Sequence, residues 1–298
     1  MDHTALKADQ SGYINVAGGR IWYRLNHSQA ATERAPVIVI HGGPGGTHNS
    51  LLPCLQLVQT RSVIFYDQLG SGHSDRPEDQ SLWTLARFTD EIDAIRAELG
   101  LAECHLLAGS WGGSVALNYA ARQPQGLKSV VLSGPLVQTA RWMADNNAHR
   151  AALPADIQAT LLRHEAVADY EHPDYVAAVR FFYERHLCRL VPWPEFMSAG
   201  GGANEALYQY MWGPTEFLCT GTLRDLDLTP LLPSIETPTL FVAGEHDEGT
   251  PAACADFAAL MPQAEAFMVP NASHKPFIEA PEVFFAKVAP FLLAHDGV

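Results

Sequence analysis

The chain has 298 residues, with 19 Lys and Arg against 33 Asp and Glu, a formal net charge of −14 and 47% hydrophobic residues. That length suits one large domain or two small ones, and the composition supports a buried core, not a disordered acidic tail. The negative surplus weighs against nucleic acid or an anionic membrane surface as partner, and favours a neutral or cationic small substrate.

Residues 1–9 carry no apolar stretch, so no signal peptide is expected, and no run approaches the roughly 20 apolar residues of a membrane helix. The cysteines Cys54, Cys104, Cys188, Cys219 and Cys254 are odd in number and never spaced CxxC. This argues against a disulfide framework or zinc site and for a reducing, cytoplasmic compartment.

The first elements form a hairpin: Ile14-Asn15-Val16 and Arg20-Ile21-Trp22-Tyr23-Arg24 flank Gly18-Gly19. Short β-branched apolar runs follow at 37–40, 62–66, 105–108, 130–132 and 239–243, reading as strands buried on both faces. Helical patterns at 88–99, 111–122, 252–260 and 282–293 alternate with them, which is the order of an open α/β sheet. From 135 to 225 the strand runs stop and helical stretches such as 175–187 take over. The expected organisation is therefore a core (1–134), a helical cap insertion (135–225) and the rest of the core (226–298). The glycine-rich stretch 198–203 is expected to be a mobile loop inside the cap.

Chemistry-bearing residues sit just past the strand ends, where open α/β sheets place their sites. Ala108-Gly109-Ser110-Trp111-Gly112-Gly113 follows one strand and opens a helix, matching the nucleophile elbow with alanine at the first small position. Ser110 needs a base of near-neutral pKa and an acid to orient that base. In the order serine, acid, histidine, Asp247 after the strand at 239–243 is the acid, and His274 after the run 266–269 is the base. Glu245 is the rival acid and His246 the rival base. The glycine turn His41-Gly42-Gly43-Pro44-Gly45-Gly46 lets backbone N–H groups approach a developing oxyanion, with Gly43 and Trp111 as the donor pair. The turn has neither the Gly-Lys-Ser/Thr ending nor the GxGxxG spacing of a nucleotide loop.

Together, His41-Gly42-Gly43-Pro44-Gly45, Tyr66-Asp67-Gln68-Leu69-Gly70-Ser71-Gly72-His73-Ser74-Asp75, Gly109-Ser110-Trp111-Gly112-Gly113, Met211-Trp212-Gly213-Pro214-Thr215-Glu216-Phe217 and Gly244-Glu245-His246-Asp247-Glu248-Gly249-Thr250-Pro251 resemble the proline iminopeptidases of the α/β-hydrolase superfamily. The resemblance implies an α/β-hydrolase fold, mostly parallel, with helices on both faces and an inserted helical cap. It also implies a serine peptidase that releases an N-terminal residue, proline or another small one, through an acyl-enzyme without metal or cofactor. In such relatives the substrate amine is held by two glutamates, which correspond to Glu216 and Glu248. Pairing is physically required, because an ammonium moved into a cleft loses its hydration. Glu205 is a third candidate, with surface exposure its alternative. Asp67 and Gln68 are expected to brace the site. Trp142, Tyr210, Trp212 and Phe217 either wall the first-residue pocket or pack as core. Two other readings remain: an amidase, esterase or lactonase on the same scaffold, which has no need of Glu216 and Glu248, and a non-catalytic binding protein. The oligomeric state is not legible.

Overall fold

A computed structural model describes residues 5–31, 34–198 and 202–297. Its strands are β1 (Gln10–Val16), β2 (Gly19–Asn26), β3 (Val37–Ile40), β4 (Val63–Asp67), β5 (Cys104–Gly109), β6 (Leu127–Ser133), β7 (Thr239–Gly244) and β8 (Ala264–Val269). They make one sheet in the order β1-β2-β4-β3-β5-β6-β7-β8. β1 pairs antiparallel with β2 and β2 antiparallel with β4, whereas every other pairing is parallel. The hairpin turn is Ala17-Gly18, with Gly18 at φ +93°, and Gly19 already begins β2.

All residues of β3, β4 and β5 are buried, which explains why their sequences read as unbroken apolar runs. Side chains alternate between faces along each strand. Ile38, Ile40, Leu106 and Leu132 pack beneath Phe88, Ile92 and Ile95 of α1 (Leu85–Glu98) and Val115 and Tyr119 of α2 (Trp111–Ala120). Val37, Val39, Leu107, Val131 and Leu240 join the opposite cluster. That face is covered partly by 3-10 turns over His48–Gln59, which supply buried Leu51, Leu55 and Val58. No periodic signal announces this segment, because 3-10 turns do not present the 3.6-residue apolar stripe.

Between β6 and β7 the chain forms α3 (Thr139–Ala151), α4 (Ala155–Glu165), α5 (Pro173–His186), α6 (Glu195–Ser198) and α7 (Glu205–Met211). Leu153, Leu161, Tyr175, Phe182 and Phe217 make a separate apolar cluster within this stretch. Of the glycine-rich stretch expected to be mobile, residues 199–201 lie outside the described residues. α8 (Pro251–Ala258), α9 (Pro276–Glu279) and α10 (Pro281–Ala294) complete the chain, and α10 sets Phe284, Val288, Phe291 and Leu292 against the second face. Among the described residues no helix is long and apolar enough to cross a membrane. All five cysteines are free thiols.

Candidate active site

At the end of β5, Ser110 adopts φ 54° and ψ −123°, a left-handed backbone that L-residues rarely occupy. Three main-chain hydrogen bonds hold the turn: Ser110 N–H to Ser133 O (2.9 Å), Gly113 N–H to Ser110 O (2.8 Å) and Leu136 N–H to Ser110 O (3.1 Å). The small residues after Ser110 are required by close approach. A Cβ on Gly112 would lie 2.5 Å from Ile40 O, and one on Gly113 would lie 2.5 Å from Pro135 Cβ. The sharp turn thereby presents Ser110 at the head of α2.

Asp247 and His274 meet from separate loops. After β7, Asp247 turns back so that its Oδ1 accepts Gly249 N–H at 2.7 Å and its Oδ2 accepts Gly244 N–H at 3.3 Å. His274 Nδ1 lies 2.6 Å from Asp247 Oδ1. With the proton on Nδ1, His274 Nε2 is left as an acceptor. Both side chains are buried. Glu245, the rival acid, instead accepts Asn271 N–H at 2.9 Å, and His246 engages through its backbone, its carbonyl to His186 and its N–H to Ala272 O. No hydrogen bond joins Ser110 Oγ to His274 in this structure; in an unliganded site such bonds are commonly loose and tighten when substrate binds.

Ser110, Trp111, Gly43, Pro44, Leu136, Trp142, Tyr208, Trp212 and Glu216 line one small cavity. Trp111 is the first residue of α2, so its N–H has no partner within the helix. Gly43, at φ +50°, brings the other expected donor to the same cavity. Gln68 ties the two donor segments together. Its Oε1 accepts the Trp111 indole N–H at 3.0 Å and its Nε2 donates to His41 O at 2.9 Å. Its backbone N–H donates to His41 Nε2 at 3.0 Å. Burial pushes His41 below its usual pKa, keeping the ring neutral and able to accept. Asp67 accepts His48 N–H (2.9 Å), His48 Nδ1–H (2.9 Å) and His73 N–H (3.0 Å), fixing the adjoining loop. Burial alone would raise the Asp67 pKa, but these His48 bonds hold it below the usual carboxylate range. Both residues brace the site, as expected.

The two glutamates are placed differently. Glu216 lines the serine cavity; its carbonyl accepts the Trp142 indole N–H at 3.0 Å and its N–H donates to Tyr183 OH at 3.3 Å. Glu248 lines a neighbouring cavity of ≈ 240 Å³, across Trp142. It is fully buried, its Oε1 lies 3.8 Å from His274 Nε2, and neither carboxylate oxygen has a hydrogen-bond partner. Burial, reinforced by Glu216 and Asp247, raises the Glu248 pKa well above the usual range. Burial and the nearby Glu216 also push the Tyr183 and Tyr208 hydroxyls up, so both remain protonated donors. Glu205 is exposed. Of the aromatic row, Trp142 and Trp212 line the cavity, whereas Phe217 packs on Phe182 and Tyr210 on Trp83.

Several contributors escape sequence reasoning. Asn146 and His149 lie on the same face of α3 as the anticipated Trp142, at i+4 and i+7 from it. Trp142 meets the His274 ring edge-on at 5.7 Å, Asn146 Nδ2 donates to Glu248 O at 3.1 Å, and His149 Nε2 lies 3.2 Å from Asp247 O. His186 of α5 stacks on His149 at 4.0 Å, and its Nδ1 lies 2.9 Å from His246 O. The only signal was a polar Asn and His at helical spacing from a tryptophan. Gly134, at φ +52°, leaves no room for a Cβ beside His274 and Asp247.

Away from this cluster, His164, His172 and Asp174 present ligand atoms within 4.8 Å of one another. The Arg163 guanidinium already approaches His164 Nε2 at 3.2 Å and Asp174 Oδ2 at 3.4 Å, so a cation of the chain itself occupies that corner.

Comparison with known proteins agrees with this architecture. The family described as alpha/beta hydrolase fold matches residues 35–281, so the sheet, the elbow and the late histidine loop belong to that class of hydrolases. A proline iminopeptidase of Heyndrickxia coagulans is 38% identical over 284 residues, covering 94% of this chain and 98% of that protein. Within the class, the chain belongs to the proline iminopeptidase family. The crystal structure of the Mycobacterium smegmatis proline iminopeptidase superposes with a TM-score of 0.91 at 37% identity, covering 96% of this chain and 99% of that one. The crystal structure of VinJ superposes with a TM-score of 0.92 at 36% identity, covering 97% and 100%.

Proposed function

We propose that the protein is a serine aminopeptidase that releases an N-terminal proline, or another small residue, from short peptides or amino-acid amides. The observation that carries this reading is the pair of acidic side chains beside the serine–histidine centre: Glu216 in the serine cavity and Glu248 within 3.8 Å of His274 Nε2. Acidic side chains here offer oxygen acceptors to a substrate ammonium and pair its charge once it is bound. The family membership supports the same substrate class.

Ser110 Oγ attacks the first carbonyl carbon as His274 Nε2 takes its proton. Asp247 orients the His274 ring and stabilises the imidazolium that forms. The Gly43 and Trp111 N–H groups hold the oxyanion, each such donor lowering the barrier by about 3 kcal/mol. His274 then protonates the leaving amine, and water repeats the attack on the acyl-enzyme. Residues 135–225 act as a cap whose Trp142, Tyr208 and Trp212 wall the pocket. Five unpaired thiols fit residence in the cytoplasm.

The test compares prolyl, alanyl and N-acetylprolyl anilides. Free prolyl anilide should be cleaved and its acetylated form rejected. Equal cleavage of both would favour a general amidase or esterase. Glu216→Gln should damage cleavage of free-amine substrates far more than of a simple ester, and equal losses would remove the amine-binding role.

A further inference from the structure

The Glu248 carboxyl is an anomaly that the catalytic steps above do not use. It is fully buried and neither oxygen is hydrogen-bonded, although buried polar groups are nearly always paired. The groups facing it include other acids: Asp247 on its own loop and Glu216 from the cap. Tyr183 of α5 and Tyr208 of α7 approach as neutral phenols. His149 and His186 touch only the carbonyls of its loop, and Lys275 acts on it only through the field. Among the described residues, the one basic side-chain nitrogen within 4.0 Å is His274 Nε2, at 3.8 Å.

That nitrogen must be a free base to accept the Ser110 proton. A carboxylate 3.8 Å away would favour the imidazolium, which has no lone pair to offer. A neutral carboxylic acid would not. The substrate amine arrives at the same place. In an N-terminal residue the amine nitrogen is separated from the attacked carbonyl carbon by two bonds of about 1.5 Å. A carbonyl within reach of Ser110 and His274 therefore holds the ammonium within about 2.5 Å of that carbon, near the ring nitrogen that Glu248 Oε1 approaches.

We propose that Glu248 rests as the neutral acid in the free enzyme and is ionised by the arriving substrate, so that binding of each N-terminal ammonium releases one proton. The Glu248 O–H bond breaks, the proton leaves to solvent, and the carboxylate accepts an N–H of the ammonium. The new negative charge is balanced by the substrate ammonium, so ionisation of Glu248 leaves no unpaired charge facing His274 Nε2. The device makes affinity for free-amine substrates rise with pH, tenfold per unit as the limit, while the resting acid stays protonated.

This inference rests on the amine-binding reading above, and the experiment separates the two. Full-length Ser110→Ala protein, which binds without turnover, is titrated calorimetrically with L-prolinamide near pH 7 in two buffers of different ionisation enthalpy. About one proton released per ligand is expected, falling to about zero when Glu248→Gln is added to the same background. Prolinamide binding without proton release overturns the inference and leaves the aminopeptidase reading standing. Equal binding of prolinamide and N-acetylprolinamide, or no binding of prolinamide, overturns the amine site itself. The decisive arm uses Ser110→Ala alone, so a folding failure of the Glu248 variant does not affect it.

Discussion

Replacing Gly134 by alanine would put a methyl carbon 2.6 Å from His274 Nδ1, 2.7 Å from His274 Cε1 and 2.9 Å from Asp247 Oδ2. Ordinary contact begins at 3.4 Å, so the imidazole would have to retreat by about 0.8 Å. Two costs follow. The backbone sits at φ +52°, where a Cβ adds roughly 1–2 kcal/mol. The displaced ring also loses its alignment with Asp247 and Ser110, and a misplacement of about 1 Å is worth roughly 100-fold in rate. The Trp142 ring packs edge-on against the same imidazole and restricts its movement. Gly134→Ala should therefore lower kcat on prolyl anilide by about 100-fold, with a smaller change in KM and a loss of roughly 1–2 kcal/mol in urea unfolding. Circular dichroism would verify that the variant is folded. A folded variant with kcat within threefold of the parent would refute the claim that Gly134 exists to clear space for the acid–base pair.

Ser110→Ala should reduce turnover by about 10,000-fold or more, because nucleophile and base act as a unit; retained hydrolysis in a burst-free steady-state assay would end the acyl-enzyme scheme. Gln68→Leu orphans the Trp111 indole N–H and the His41 carbonyl, at roughly 1–3 kcal/mol each if both stay dry, and should lower kcat more than it raises KM. Unchanged melting and kinetics would show that the brace is idle. Burial lifts the Glu91 carboxyl to about 7, against the pull of its Arg87 partner and the Leu69 N–H. A folded value above the unfolded one means stability is fully present below about pH 4.5 and falls as pH rises through 7. The span corresponds to about 3 kcal/mol. Glu91→Gln should remove this slope, and parallel melting-temperature profiles for parent and variant between pH 5 and 8 would contradict it.

What could be read from the chain follows from sequence distance. The elbow, the glycine turn and the loop holding Asp247 are each local: a strand ends, small residues permit a sharp turn, and a reactive side chain is presented. Their order along the chain suggested Ser110, Asp247 and His274 as a set, of which the structure joins Asp247 to His274. Gly134 was invisible because its reason lies 113 and 140 positions away, in Asp247 and His274. The aromatic row divided for a similar reason. Helical spacing says which face of the cap is apolar, but not whether that face meets the serine cavity, as Trp142 and Trp212 do, or the cap's own interior, as Phe217 does. Glu216 and Glu248 were legible as a pair, but not their separation by Trp142 into adjoining cavities.

The face of α3 that carries Trp142, Asn146 and His149 has a bearing on protein engineering. These side chains, with His186, contact the acid–base loops directly, holding carbonyls of residues 246, 247 and 248. A chimera that exchanges the cap to alter selectivity would then also exchange the scaffold under the general base. Grafts onto this core need to carry the tryptophan, the asparagine and both histidines in register, or import the donor's acid loop with its cap. Substitutions on α7 leave those three carbonyl contacts in place, because that helix is tied to the core by Asn204 N–H to Gly45 O and by buried Leu207 and Met211.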